Sequence, residues 1–245
     1  MDEIEKFSLE VKNNIKRMSE DHAVGNLSNK WIRDTAPYKY AYNFSWMGRP
    51  IIQFPQDILA MQEIIWRTKP KLIIETGIAH GGSIIFYASM LELMGGNGMV
   101  LGIDIDIREH NRAEILKHPM AKRIKMLEGS SIDMDVISQV HEASKDQSPV
   151  LVILDSMHTH SHVLEELNAY SPLVTRDSYL VVFDTVVEDM SEISFQDRPW
   201  GKGNNPKTAV WEFLKSNNRF AIDREIQDKL LITVAPDGYL KCIKD

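Results

Sequence analysis

The chain has 245 residues, of which 43% are hydrophobic and 26% are charged. This length and balance fit one large α/β domain, or one domain with an N-terminal extension. The net charge of −7 argues against nucleic acid as the main partner, because phosphate neutralisation needs clustered Lys and Arg. The single cysteine, Cys242, excludes an intramolecular disulfide framework and a Cys-based zinc site.

No targeting or membrane-spanning pattern is visible in the sequence. The first residues, Met-Asp-Glu-Ile-Glu-Lys, lack the basic and apolar regions of a signal peptide. No apolar run approaches the roughly 20 residues that a membrane span needs. We therefore expect a cytoplasmic protein.

Residues 1–50 are predicted to form an extension that precedes the main domain, residues 51–245. Apolar residues at helical spacing indicate an amphipathic helix, and they are Ile4, Phe7, Val11 and Ile15. This helix could serve a homo-oligomer interface, although such a face more often packs within its own chain. The aromatic residues that follow either cover the core, which is the better-supported interpretation, or line an acceptor pocket. They are Trp31, Tyr38, Tyr40, Tyr42, Phe44 and Trp46.

After a helix predicted at residues 55–69, the chain forms a strand, a glycine-rich turn and a helix. The strand is the apolar run 72–74, the turn is Glu75-Thr-Gly-Ile-Ala-His-Gly-Gly-Ser83, and residues 84–94 have helical length. Such a unit opens nucleotide-type sites, because glycines free the backbone and the first helical N–H groups face the ligand. The spacing differs from the dinucleotide and triphosphate patterns. An ordinary tight turn of another α/β protein is the alternative.

The next two predicted strands also lead into polar turns. Strand 99–104 ends in an acid at the distance from the glycines where α/β sites hold a ribose diol. We expect Asp104 to hold the ribose and Asp106 to cap the following helix. A third strand leads into Gly129-Ser-Ser-Ile-Asp133, whose side chains could also serve as helix caps.

Two neighbouring buried strands each deliver an aspartate at the carboxyl edge of the predicted sheet, where open α/β sheets place their sites. Strand 150–155 ends in Asp155, and strand 179–185 ends in Asp184 and Thr185. The two aspartates could hold one Mg²⁺, since hard cations prefer oxygen ligands. His158 could then take a proton from a metal-bound hydroxyl.

The same loop allows a different metal chemistry. Three alternating histidines could form a zinc site, and they are His158, His160 and His162. Asp155 with His158 and His160 could instead form an Fe(II) site. These arrangements would imply a hydrolase or an oxygenase.

The remainder of the chain is predicted as a long loop, a helix and three strands. Residues 186–206 lack periodicity, and a loop of this length commonly forms a lid or a binding loop. A helix is predicted at residues 208–217, with strands at 220–226, 230–234 and 239–243. We expect a terminal antiparallel hairpin on a mostly parallel sheet.

Four segments together resemble the cephalosporin hydroxylase family, which has a SAM-methyltransferase fold and includes rhamnosyl O-methyltransferases. They are the turn 75–83, Gly102-Ile-Asp-Ile-Asp106, Asp155-Ser-Met-His158 and Pro199-Trp-Gly-Lys-Gly-Asn-Asn-Pro206. The turn has the E-x-G-x-x-x-G-x-S form of motif I in class I S-adenosylmethionine (SAM) methyltransferases. The resemblance covers about residues 35–243. It implies a Rossmann-like α/β fold with a mostly parallel seven-stranded sheet, a C-terminal antiparallel hairpin and an N-terminal helical extension.

The resemblance also implies which residues bind the cofactor. The acid before the glycines faces the methionine end of SAM, and the turn after the third strand contacts the adenine ring. The implied cofactor-binding residues are Glu75, Gly77, Ala79, Ser83, Asp104, Ser130 and Ser131.

The arrangement is also similar to metal-dependent catechol-type O-methyltransferases. In those enzymes a strand-end Asp is followed three residues later by the catalytic base, which implies Asp155 and His158 here. An acid–amide pair follows the next strand, which implies Asp184 and Thr185 as metal ligands beside Asp155. Thr185 departs from the pattern, because a neutral hydroxyl is a weaker ligand. The acidic residues 188–189 could compensate.

The resemblance therefore implies a SAM-dependent, Mg²⁺-assisted O-methyltransferase acting on a hydroxyl of a sugar, a glycan precursor or a similar small polar metabolite. Trp200 and Tyr40 could stack on a sugar face. Arg198 and Lys202 could meet the phosphate of a phosphorylated sugar. The alternative is a metal-dependent oxygenase or hydrolase that uses the His-rich loop 158–162. SAM binding distinguishes the two.

Overall fold

A seven-stranded sheet forms the centre of the molecule in the computed structural model, which describes residues 1–190 and 197–245. The strand order is β5-β4-β3-β6-β7-β9-β8, and a separate hairpin pairs β1 with β2. The strands are β1 Phe44–Trp46, β2 Arg49–Ile51, β3 Leu72–Thr76, β4 Met99–Asp104, β5 Ile124–Glu128, β6 Val150–Leu154, β7 Tyr179–Val182, β8 Phe220–Ile222 and β9 Tyr239–Cys242.

Helices cover both faces of this sheet. They are α1 Glu3–Glu20, α2 His22–Thr35, α3 Pro55–Thr68, α4 Gly82–Met94, α5 Glu109–Lys117, α6 Met134–Ser144, α7 His160–Tyr170, α8 Pro206–Ser216 and α9 Arg224–Leu230. Because successive strand residues point to opposite faces, neighbours such as Ile73 and Ile74 enter different apolar cores. The central strands are therefore buried on both sides, which explains their continuous apolar runs.

The sheet order reverses at β3, which pairs in parallel with β4 on one side and β6 on the other. Connections from these strands leave the sheet in opposite directions, so a crevice opens at their carboxyl ends. This edge holds the glycine-rich turn and the two strand-end aspartates. The predicted α/β fold is confirmed.

The C-terminal hairpin is confirmed, but one of its predicted strands is wrong. Strand β9 is antiparallel to both β7 and β8, and β8 stops at Ile222. Of residues 230–234, predicted as a strand, Leu230 ends helix α9 and residues 231–234 follow it, because β9 already occupies the edge of β7. The backbone N–H of Val234 donates to the buried Asp57 carboxylate of α3 at 2.9 Å, with Thr233 and Tyr239 as further donors.

The N-terminal segment consists of α1, α2, two short 3-10 turns and the β1–β2 hairpin. On α1, Ile15 is buried, whereas Ile4 and Phe7 are 78% and 67% exposed. Within the described ranges, no helix is both long and apolar enough to cross a membrane. The boundary that we predicted after residue 50 falls inside β2.

Candidate active site

The glycine-rich turn after β3 lies against the end of β6. Gly77 has a φ of +93°, and a Cβ at this position would lie 2.0 Å from the Asp155 carbonyl oxygen. Gly81 has a φ of +84°, and its Cβ would collide with the Ile115 side chain. Both positions therefore require glycine because neighbouring chain segments approach closely. The close approach places the turn next to Asp155.

Asp104 at the end of β4 fixes the conformation of this turn. Its Oδ2 accepts from the backbone N–H of Ile78 at 2.8 Å and of Ala79 at 3.1 Å. Ala79 is in the left-handed region with a φ of +45°, so these hydrogen bonds stabilise a conformation that alanine rarely adopts. The carboxylate predicted to hold a ribose thus also positions the glycine-rich turn.

The β1–β2 hairpin also contacts the glycine-rich turn, through the side chain of Arg49. The Arg49 guanidinium donates to the His80 carbonyl from Nε at 3.0 Å and from Nη2 at 2.7 Å. Arg49 also donates to Asn111, whose amide donates to the Ala79 carbonyl at 3.0 Å. The sequence analysis did not identify this contact, because no local pattern links Arg49 to His80.

Glu75 is fully buried in β3, next to this turn. The Ser83 hydroxyl donates to its Oε2 at 2.7 Å, whereas Oε1 is buried without a hydrogen-bond partner. Burial raises the pKa of the Glu75 carboxyl from 4.5 to about 8, despite hydrogen bonds from Ser83 and Tyr87 that lower it. An unpartnered buried carboxylate oxygen suits a cationic ligand.

We expect Glu75→Gln to stabilise the ligand-free protein at neutral pH. The unfolded carboxyl ionises near pH 4.5 and the folded one near pH 8, so stability falls as the pH rises between these values. Glutamine avoids this loss, which is worth up to about 3 kcal/mol at pH 7. Urea unfolding at pH 5, 6, 7 and 8 should show an advantage of the variant that grows with pH. An advantage independent of pH would contradict the assigned pKa.

A cavity of about 270 Å³ opens between the glycine-rich turn and the aspartates. Six predicted cofactor-binding, catalytic or metal-binding residues line it: Gly77, Ala79, Ser83, Asp155, His158 and Asp184. The other predicted cofactor-binding residues, Glu75, Asp104, Ser130 and Ser131, lie outside this lining. The structure therefore brings the methionine end of the predicted cofactor site next to the predicted catalytic residues.

Asp155, His158 and Asp184 form one cluster at the carboxyl edge of β6 and β7. One ligand atom from each lies within 4.8 Å of the others, and His158 Nε2 is 3.0 Å from Asp184 Oδ2. The two strand ends are held together by the Phe183 N–H, which donates to the Leu154 carbonyl at 3.0 Å. Burial, followed by the charges of Asp184 and Glu75, raises the pKa of Asp155 well above its ordinary value.

This donor set fits a hard divalent cation. A cation between two neighbouring carboxylates offsets their like charges, and carboxylate oxygens are the preferred ligands of Mg²⁺. Asp155 and Asp184 are the residues that would hold it.

Thr185 does not belong to the cluster, although we predicted it as a ligand. Its hydroxyl is buried and donates to the Pro236 carbonyl at 2.6 Å. The acids that could have compensated are also engaged elsewhere. Glu188 accepts from Gly203 and Asn205, and Asp189 pairs with Lys207 at 2.7 Å. Glu188 and Asp189 thus bind residues 203–207, which follow Trp200 in the chain.

The three histidines of the His-rich loop point to different partners. His160 lies 2.8 Å from the Thr208 hydroxyl and 3.1 Å from Glu212 on α8. His162 lies 3.1 Å from the Ser131 hydroxyl, so Ser131 links the turn after β5 to the first turn of α7. Only His158 of the three joins the described cluster with the two aspartates. This geometry does not favour the three-His zinc site or the Fe(II) arrangement.

The predicted acceptor-binding residues divide into two groups. The Trp200 ring packs edge-on against His158 with 4.8 Å between ring centroids, and the Arg198 guanidinium lies 5.3 Å above Trp200. Lys202 is exposed. Tyr40 instead packs into an aromatic cluster with Trp31, Phe44 and Phe54.

Tyr42, rather than Tyr40, lines the cavity and is 52% exposed. The two tyrosines lie in an irregular 3-10 turn, where no periodicity indicates which side chain faces inward. Residues 191–196 of the predicted binding loop 186–206 lie outside the described residues.

Comparison with known proteins identifies the family of this chain. A family model described as Rhamnosyl O-methyltransferase/CmcI matches residues 38–243. The chain belongs to this family. A rhamnosyl O-methyltransferase from Mycobacterium bovis (strain BCG / Pasteur 1173P2) is 29% identical over 202 residues, which cover 80% of this chain and 77% of the relative. One from Mycobacterium leprae (strain TN) is 32% identical over 145 residues, which cover 58% of this chain and 60% of the relative.

Solved structures of CmcI share the fold with this family member. A ligand-free CmcI structure matches with a TM-score of 0.59 at 17% identity, covering 83% of this chain and 78% of that one. A CmcI structure described with Mg and SAM matches with a TM-score of 0.58, at 17% identity and with the same coverage. Family membership and fold confirm the predicted enzyme class, a SAM-dependent O-methyltransferase.

Proposed function

We propose that this enzyme methylates a hydroxyl of a rhamnose-type sugar, with SAM as donor and with help from Mg²⁺. The observation that carries the proposal is the shared cavity, which joins the glycine-rich turn to the cluster of Asp155, His158 and Asp184. The sugar class is supported by the names of the relatives, which are rhamnosyl O-methyltransferases. The cation is supported by the paired carboxylates.

His158 is the group that would accept the proton of the acceptor hydroxyl. A neutral imidazole that donates from Nε2 to Asp184 carries its lone pair on Nδ1. Trp200 restricts the rotation of the His158 ring by packing edge-on against it. Asp184 thus orients the base, and Trp200 covers it from solvent.

SAM and a divalent cation would supply the remaining chemistry. SAM, when bound, provides the methyl group that the acceptor oxygen receives. A divalent cation held by Asp155 and Asp184 would act as a Lewis acid that lowers the pKa of the acceptor hydroxyl. The released proton goes to His158, so the products are a methyl ether and S-adenosylhomocysteine (SAH).

Two measurements on the purified protein test this proposal. Calorimetric titration with SAM, with and without Mg²⁺, should show binding in the micromolar range. Methyl transfer should then be observed with rhamnose-bearing glycosides and should be weaker with a catechol. Absence of SAM binding would overturn the methyltransferase assignment for this chain. SAM binding with equal turnover of catechols and glycosides would overturn the sugar class alone.

A further inference from the structure

A glutamine outside the glycine-rich turn lies on the cavity wall. Gln53 is in the connection between β2 and α3, is only 2% exposed, and lines the cavity shared with Ser83 and Asp155. Its Nε2 donates to the Tyr87 hydroxyl at 3.4 Å. Its Oε1 is buried and has no hydrogen-bond partner. Gln53 Oε1 is therefore a buried hydrogen-bond acceptor in the cavity wall to which no donor is assigned.

The neighbours of Gln53 determine which end of its amide is free. The Tyr87 hydroxyl lies between Gln53 and the Glu75 carboxyl and interacts with both. A phenol has one proton, and directing it to the carboxylate leaves the phenolic oxygen to accept from Gln53 Nε2. The amide oxygen is then the atom that remains without a partner.

The cavity wall thus presents an unpartnered acceptor, Gln53 Oε1. An unpaired buried acceptor is costly, and a donor-rich cation in the cavity would satisfy it. SAM offers such a group, because its α-ammonium has three N–H donors, whereas its sulfonium has none.

We propose that Gln53 is a cofactor-recognition residue whose Oε1 accepts a hydrogen bond from the α-ammonium of SAM. This inference rests on the proposed use of SAM. It assigns part of cofactor specificity to the N-terminal hairpin connection. A neutral amide suits this position, because a second carboxylate would add a like charge next to Glu75 and Asp155.

The test compares two ligands that differ at the amino-acid end. SAH carries the α-ammonium, whereas 5′-methylthioadenosine has the same adenosine and sulfur but lacks the amino-acid end. We expect Gln53→Leu to weaken SAH binding about 10- to 100-fold by calorimetry, and to change binding of methylthioadenosine less than about twofold. Gln53→Met serves as a second variant, with thermal unfolding as the check that each protein is folded.

Gln56→Leu is the matched control. Its amide oxygen is also buried and unpartnered, but Gln56 lies on α3 outside the cavity lining. SAH affinity should be unchanged in this variant. An SAH analogue without the amino group should bind the wild type and the Gln53 variants equally.

Two outcomes would overturn the assignment of Gln53. Unchanged SAH affinity in folded Gln53 variants would mean that its oxygen is satisfied by water. An equal loss for SAH and methylthioadenosine would indicate a structural role. Failure of the wild type to bind SAH would instead refute the proposed function.

Discussion

His158→Ala should lower kcat by about 10²- to 10⁴-fold, which is the range of a lost general base. The dissociation constant for SAH should change by less than about threefold, because the proposed role of His158 concerns the acceptor proton. Its ring contacts Asp184 and Trp200, whereas Asp104 holds the glycine-rich turn. Steady-state kinetics and calorimetry on the same preparation check both statements.

Two companion variants make this result specific. His160→Ala removes a histidine two residues away whose partners lie on α8, so turnover should stay within a few-fold of the wild type. Asp104→Ala should show the reverse pattern, with SAH affinity lost first, because Asp104 holds the backbone of the glycine-rich turn. Equal losses of turnover and SAH affinity in His158→Ala would contradict its role as the base. A larger loss in His160→Ala than in His158→Ala would favour the metal chemistry of another enzyme class.

The central part of the site was predictable from sequence because local patterns determine it. An apolar run such as Val150–Leu154 favours a strand buried on both faces, as in the middle of a parallel sheet. Parallel strands bring their carboxyl ends to one edge, so Asp155 and Asp184 were expected at the same edge, and the pairing of β6 with β7 makes them neighbours. The glycine-rich turn followed from the same reasoning, and its position beside Asp155 comes from the reversal of strand order at β3.

The parts that sequence reasoning missed depend on contacts between distant segments. Arg49 and Gln53 come from the connection between the N-terminal segment and the sheet, and no local pattern shows that their partners are His80 and Tyr87. Thr185 follows a strand-end aspartate, but the left-handed conformation of Asp184 directs the chain away from the cavity. Residues 230–234 have strand-like composition, yet the occupied sheet edge leaves them to bind Asp57.

Asp184→Asn should abolish the dependence of the enzyme on Mg²⁺ and lower kcat by at least about 10²-fold. Asparagine keeps the size of the side chain and an oxygen near His158, so the main loss is one negative charge in a two-carboxylate site. A cation that acts as a Lewis acid contributes several kcal/mol to the transition state, which corresponds to this factor or more. Turnover should be measured against Mg²⁺ concentration in metal-free buffer.

Asp177→Asn provides the matched control for this variant, since Asp177 lies at the opposite end of β7 and is exposed. Its Mg²⁺ response should equal that of the wild type. If Asp184→Asn kept the full response, the cation could not be held by the described pair of aspartates. The wild type could also transfer methyl groups without any response to Mg²⁺. The raised pKa of Asp155 would then indicate a protonated carboxyl group rather than a cation ligand. A protonated Asp155 would then reduce the repulsion that a cation would otherwise offset, and His158 oriented by Asp184 would carry the proton transfer without metal assistance.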